Sequence, residues 1–227
     1  MGAVYFVRHG QASFGQKDYD QLSETGFEQA RVLGESLRAR LPGVDAVFMG
    51  RMARHRQTAE TCLGVLGVSA EPRILAGLDE FDHEELIRRH TPRYADPTVL
   101  QEEMMREADP RRAFQAVFAQ AVERWVRDTT GGYTESWSAF RQRCLDALET
   151  ILQTPSGTVL VFTSAGPISA VCQELLHIPD AHAVQLNWTM ANAAVTKVIH
   201  SVRGRYLSTL NEHAHFEGAQ RALLTYR

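Results

Sequence analysis

Three short runs of almost uninterrupted apolar, β-forming residues constrain this chain more than anything else in it. Residues 3–7 (A-V-Y-F-V), 44–49 (V-D-A-V-F-M) and 158–163 (T-V-L-V-F-T) are too short for helices. They also lack the regular polar alternation of a strand with one wet face, so they read as strands buried on both sides. Between them the period changes. Residues 25–28 (T-G-F-E) have the T-x-x-E form of a capping box, and Phe27, Ala30, Leu33, Gly34 and Leu37 follow at helical spacing. Residues 54–66 place Ala59, Cys62, Leu63 and Leu66 on one stripe, and residues 136–152 do the same with Phe140, Cys144, Leu145, Leu148 and Leu152. A helix over 166–176 follows the third strand directly. Late in the chain, 193–201 and 206–210 flank Val202-Arg203-Gly204-Arg205 as a hairpin.

Strand and helix in alternation predict an α/β fold: a three-layer sandwich with a mostly parallel central sheet and helices on both faces. The rhythm breaks over residues 82–132, which are helical in pattern and punctuated by Pro92, Pro97 and Pro110. That stretch reads as a helical cap inserted into a single domain spanning 1–227. Its Met104, Met105, Phe114, Phe118 and Trp125 are expected to form its own core rather than a cofactor box.

Composition narrows the partners. With 44% hydrophobic and 22% charged residues the chain buries a full core, and a net charge of -3 excludes a bulk basic nucleic-acid binder. The cysteines Cys62, Cys144 and Cys172 are widely spaced and form no C-x-x-C pair, which argues against a disulfide framework or zinc module and for a reducing compartment. No apolar stretch approaches the roughly 20 residues needed to span a bilayer, and the start has no basic, then apolar, leader pattern; a cytoplasmic protein with no membrane partner is expected. The basic residues are 22 arginines against only Lys17 and Lys197. Most such arginines coat a solvated surface, but the planar guanidinium also suits an anion site.

In parallel sheets ligands bind just beyond the C-terminal strand ends. There the chain places Arg8-His9-Gly10-Gln11, then Gly50-Arg51-Met52-Ala53-Arg54, then Ser164-Ala165-Gly166-Pro167. Arginines from two strand ends, a histidine, and a small-residue turn into a helix can together cradle an anion. At this point the chain resembles the histidine phosphatase superfamily, also called phosphoglycerate mutase-like. The resemblance rests on Val4-Tyr5-Phe6-Val7-Arg8-His9-Gly10-Gln11, on Leu22-Ser23-Glu24-Thr25-Gly26 with Gln29-Ala30 (similar to "L-T-x-x-G-x-x-Q-A"), and on residues 52–59, M-A-R-H-R-Q-T-A (similar to "L-x-R-A-x-Q-T-A"). It extends through Leu78-Asp79-Glu80-Phe81 to Asn192-Ala193-Ala194-Val195-Thr196, similar to a late "N-x-S" strand. Each motif alone is weak; all of them in order are specific.

The resemblance implies that His9 is the nucleophile, forming a phosphohistidine that water then hydrolyses, with neither metal nor cofactor. It implies that Arg8 and Arg54 grip the phosphoryl oxygens, and that Glu80 protonates the leaving alkoxide. Asp79, Asp82 and Glu84 crowd the same loop, and crowded like charges favour keeping one carboxyl protonated. His83 stands in a stretch where many relatives carry glycine. The largest departure is at the third strand end. The family reads "V-S-H-G-G" there, its histidine donating to the phosphate, whereas this chain has Thr163-Ser164-Ala165-Gly166-Pro167. Ser164 and Ala165 are therefore the phosphate-binding candidates at that turn. Losing one charge-assisted contact costs roughly 1.5–3 kcal/mol. Ser164 also suits a helix N-cap. If it faces the pocket, Ser164→His is expected to raise rate or phosphate affinity; if it caps, only stability should change.

Other features carry weaker expectations. His55 is expected to share the helix start with Arg54 without chemistry, Arg51 and Arg56 to be surface arginines, and His213-Ala214-His215 to lack a third metal ligand. Gln11, Ser13 and Gln16 are the polar candidates in the loop after His9. The reading is a phosphomonoesterase acting on a small phosphorylated substrate, with a phosphoprotein left open and oligomeric state unread. Its alternatives are a mutase-type phosphotransferase and a phospho-ligand-binding relative with negligible turnover.

Overall fold

The three apolar runs lie side by side in the middle of one sheet. A computed structural model describes residues 1–13, 20–155 and 157–226. The strands are β1 (Gly2–Arg8), β2 (Ala46–Met49), β3 (Arg73–Ile74), β4 (Thr158–Thr163), β5 (Val195–Ser201) and β6 (Gly204–Glu212). Their order is β3-β2-β4-β1-β5-β6. The first four run parallel, while β5 is antiparallel to β1 and β6 to β5. Side chains alternate between two cores, as the pleat requires. Val4, Phe6, Ala46, Phe48, Val159 and Val161 face one core with α6 (Trp137–Leu152) and α7 (Ala165–Leu176). Val7, Val47, Met49, Leu160 and Phe162 face the other, with α1 (Glu24–Arg40), α2 (Ala53–Leu66) and the C-terminal turns around Phe216 and Leu223. This is the α/β sandwich with helices on both faces that the alternation predicts.

A third core lies beyond the sheet. The helices α3 (His83–His90), α4 (Pro97–Met105) and α5 (Pro110–Val126) occupy the stretch where the strand–helix rhythm breaks. Pro97 and Pro110 each stand at a first turn, after Asp96 and Asp109, whose side chains accept backbone N–H groups as N-caps. Phe118 and Trp125 pack with Phe81, Leu86, Phe140, Ala170 and Ala183, joining this segment to α6, α7 and α8 (Asp180–Thr189). Met105 departs from the expectation: it is 68% exposed, because α4 buries none of its residues.

Local details differ from the sequence reading for identifiable reasons. The cap of α1 is Ser23, whose Oγ accepts from Gly26 N at 3.1 Å, not Thr25. Phe27 accordingly falls on the outer face, 41% exposed. The hairpin pairs Ser201 with Gly204, so the turn is Val202-Arg203 alone. β5 begins at Val195 because Ala193 adopts a positive φ of 53°. No helix among the described residues is long and apolar enough to cross a membrane.

Candidate active site

β1 delivers His9 to the C-terminal edge of the sheet, where its N–H donates to Thr163 O of β4 (2.9 Å). The segment that follows is held by buried side chains from three distant motifs. Gly10 N donates to Thr58 Oγ1 (3.1 Å), Gln11 N donates to Gln29 Oε1 (2.7 Å), and His9 O accepts from Asn192 Nδ2 (3.4 Å) and Ala193 N (3.2 Å). Each motif residue thus satisfies a backbone group that burial would otherwise strand. Gly10 and Gly26 meet backbone to backbone: a Cβ on Gly10 would lie 2.4 Å from Gly26 O, and one on Gly26 would lie 2.2 Å from Gln11 O. Neither position has room for a side chain.

The hydrogen bonds assign the state of His9. Its Nδ1 lies 2.7 Å from Gly10 O; a carbonyl only accepts, so Nδ1 carries the proton. Its Nε2 accepts from Arg54 Nε at 3.2 Å, so Nε2 carries the lone pair. Burial, then the Arg54 and Arg8 charges and the neighbouring His55, hold the imidazole well below the ordinary histidine range, against a smaller opposing effect of the Gly10 carbonyl. Arg8 and Arg54 are both buried. Arg8 Nη1 donates to Met190 O. Arg54 Nη1 pairs with Asp20 Oδ1 at 2.9 Å, and Asp20 Oδ2 accepts from Ala53 N at 2.8 Å. Asp20 therefore caps α2, whose own N-cap, Met52, has no side chain able to do so.

Ser164 is fully buried at the end of β4. It occupies the N-cap position of α7 but makes no side-chain cap bond, which corrects the capping alternative. Its Oγ lies 2.7 Å from His55 Nε2 instead. His55 is also fully buried, its ring centroid 5.8 Å from that of His9, so it is part of the site and not a bystander on the helix start. Burial and the Arg54 charge hold it well below the ordinary histidine range. Ala165 opens α7 and belongs to the first turn, whose N–H groups lack intrahelical acceptors.

Glu80 takes the next of those donors: its Oε2 accepts from Gly166 N at 3.2 Å, so its carboxyl group sits on the α7 N-terminus two residues from Ser164. The expected crowding of carboxylates is relieved by separate partners. Asp79 accepts from Arg51 N and Arg51 Nε, both at 2.6 Å, and Asp82 caps α3 through Glu85 N. The loop itself is gripped by Arg143 of α6. This guanidinium donates to the carbonyls of Ala76, Gly77, Asp79 and Glu80 and pairs with Glu135. A cleft of about 500 Å³ opens against the loop, with Arg51, Asp79, Glu80, Asp82, His83 and Arg143 in its walls. His9, Arg8, Arg54 and Ser164 are not among its lining residues; Glu80 is where it meets the cluster at the strand ends.

The structure thus brings His9, Arg8, Arg54, Ser164 and Ala165 together at neighbouring strand ends, with Glu80 at the adjoining helix start. Sequence reasoning missed His55, Asp20 and Arg143. A signal existed for His55, since it stands where the resembled motif has alanine. Other candidates turn elsewhere. Gln11 Oε1 accepts from Ser23 Oγ and Ser13 Oγ donates to Gln21 O, Arg56 pairs with Glu60 on the surface, and His213 Nδ1 donates to Asn211 O. Gln16 lies outside the described residues. Among the described residues no group of three or more His, Cys, Asp and Glu side chains is placed to hold a metal ion.

The family model for the histidine phosphatase superfamily (branch 1) matches residues 4–213. No curated protein matches the chain. Among solved structures, Bacillus stearothermophilus YhfR is similar at 19% identity and a TM-score of 0.65, over 96% of this chain and 100% of that one. A putative alpha-ribazole-5'-P phosphatase from Escherichia coli matches at 17% identity and 0.65, covering 93% and 98%. Phosphoglycerate mutase from Bacillus anthracis matches at 18% and 0.64, covering 94% of each. At these identities the likeness is one of fold.

Proposed function

The chain belongs to branch 1 of the histidine phosphatase superfamily, and from that premise we propose that it is a phosphatase that hydrolyses a phosphomonoester through a phosphohistidine on His9, without a metal. The observation that carries this reading is the state of His9: a buried, neutral imidazole whose proton is fixed on Nδ1 by Gly10 O and whose lone pair on Nε2 faces Arg54. A neutral ring nitrogen is a competent nucleophile toward phosphorus.

In the first step the Nε2 lone pair attacks phosphorus, the N–P bond forms, and the ester P–O bond breaks. Arg54 Nε, which donates to Nε2 in the free protein, transfers that hydrogen bond to a phosphoryl oxygen as the substrate enters. Arg8, Arg54 and the first-turn N–H of Ala165 stabilise the equatorial oxygens. Glu80 gives its proton to the departing oxygen. In the second step Glu80 takes a proton from water, whose oxygen attacks phosphorus; the N–P bond breaks, and phosphate and neutral His9 are regenerated. Hydrolysis is favoured over mutase-type transfer because Glu80 borders an open cleft that admits water. The helical segment 82–132 is read as the cap on that cleft, which receives the leaving group of a small phosphorylated substrate.

The test is hydrolysis of p-nitrophenyl phosphate, with and without EDTA, by the wild-type protein and His9→Ala. Turnover is expected to be insensitive to EDTA and lost in His9→Ala. Turnover that survives the substitution refutes the mechanism. Absence of His9-dependent hydrolysis across a wide pH range leaves the phospho-ligand-binding alternative.

A further inference from the structure

His55 and Ser164 each accept a local cost. A serine at an N-cap position ordinarily bonds a first-turn N–H, but Ser164 gives its oxygen to His55 and leaves the α7 turn to Glu80. His55 is buried on every side, and its Nδ1 has no hydrogen-bond partner. That atom faces Gly50, where a Cβ would lie 2.4 Å away, so only a glycine leaves space for the ring. Nothing in the packing of α2 requires an imidazole at this position, since α2 presents Ala59, Cys62 and Leu63 to its core.

The unpartnered atom decides the tautomer. With the proton on Nδ1, a buried N–H would point at Gly50 with no acceptor. With the proton on Nε2, only a lone pair goes unfilled, which costs less. His55 therefore donates Nε2–H to Ser164 Oγ. A hydroxyl has one proton, and once its oxygen is occupied as an acceptor that proton is left to donate elsewhere. The two histidines carry opposite tautomers: His9 presents a lone pair at Nε2, and His55, 5.8 Å away between ring centroids, presents a proton.

We propose that His55 is a positioning residue for phosphoryl transfer: it holds the Ser164 oxygen so that the serine hydroxyl donates to the phosphoryl group attacked by His9. This rests on the phosphatase reading above. The two departures from the resembled motifs then form one exchange. Position 55 has gained an imidazole where the motif has alanine, and position 164 has lost one. The gained ring and the vacated site lie 2.7 Å apart, atom to atom, on α2, which follows β2, and just past β4, and β2 pairs with β4. The ring has crossed to the opposite wall, and a neutral hydroxyl supplies the hydrogen bond. The exchange also revises the expectation for Ser164→His: both positions are fully buried and Ser164 Oγ already touches the His55 ring at 2.7 Å, so a larger side chain at 164 would have to displace it.

The test is a double-mutant cycle on p-nitrophenyl phosphate hydrolysis, read together with inorganic phosphate affinity. His55→Ala is expected to lower kcat/KM about tenfold, the size of a lost hydrogen bond to a charged group. His55→Gln, which keeps an N–H at similar reach, should recover most of that loss. Ser164→His alone should lose at least as much as His55→Ala, whereas His55→Ala/Ser164→His should return to within a few-fold of wild type. Losses that simply add in the double variant, or a His55→Ala that lowers thermal stability at unchanged kcat/KM, overturn the proposal. Nitrogen-15 NMR of the wild-type protein needs no turnover. It should find His55 protonated on Nε2 and His9 on Nδ1; His55 protonated on Nδ1 also overturns it. If the wild type does not hydrolyse the ester, the phosphatase reading fails separately. The donor role then stands if inorganic phosphate binds several-fold more weakly to His55→Ala and Ser164→Ala than to wild type, and falls if affinity is equal.

Discussion

The cluster at the strand ends and the cleft beside it are both rich in charge, but they are built differently. At the strand ends His9, Arg8, Arg54, His55 and Ser164 are all buried, and neighbouring backbone groups are tied by the side chains of Gln29, Thr58 and Asn192. In the cleft the side chain of Arg51 is 66% exposed, His83 is half-buried at the start of α3, and the floor is a loop suspended from Arg143. A buried polar group has no alternative partner if its own is removed, whereas an exposed one has water. The first region is thus suited to fixed chemistry, the second to recognition that can adapt. The prediction is that substitutions in the two regions differ in kind, not only in size.

The largest effect is expected for Arg54→Ala: a loss on the order of 10³-fold in kcat/KM for p-nitrophenyl phosphate, with little recovery in Arg54→Lys. A lysine has no planar fork with which to span Asp20 and the His9 lone pair. Near-wild-type activity in the lysine variant would break the comparison at its strongest point. Glu80→Gln comes next, because Glu80 stands on the border. It should cost about 10²-fold on alkyl phosphates but only a few-fold on aryl phosphates, whose leaving groups need no proton; equal losses would remove its role as acid.

A smaller effect concerns stability. His9 and His55 are both held well below the ordinary histidine range, so as pH falls below about 6.5 the unfolded chain takes up protons that the folded one refuses. Stability is therefore complete above that pH and declines as pH drops toward the folded-state values, by at most about 1.4 kcal/mol per pH unit for each group. Denaturant titrations between pH 7 and 5 should reveal this slope and its reduction in His55→Gln. The smallest effect is assigned to Arg51→Ala, which should shift KM by a few-fold according to substrate while leaving kcat nearly unchanged and changing stability by no more than about 0.5 kcal/mol.

The same contrast explains what was legible in the sequence. β1, β2 and β4 are covered on both faces, and that burial is recorded as unbroken apolar runs. β3 is two exposed residues, Arg73 and Ile74, and carries no such record. α8 buries only Ala183 and Asn187, too little for a stripe. His9, Arg8 and Arg54 were readable because each stands at or just beyond a strand end within a motif. His55 was not, because its meaning depends on Ser164, 109 positions away, and sequence spacing does not reveal which departures meet in space. Besides their ion pairs with Arg54 and Glu135, Asp20 and Arg143 act through backbone groups, which leave no residue-type signature at the partner position.

The central claim is that phosphorus is transferred to His9 Nε2. It is tested most directly by rapid quenching of the protein during turnover of a phosphorus-32-labelled phosphomonoester. The prediction is a label that is acid-labile, stable in alkali, located on His9 and absent from His9→Ala. A label on another residue, or hydrolysis without any labelled intermediate in a protein that still requires His9, would contradict it.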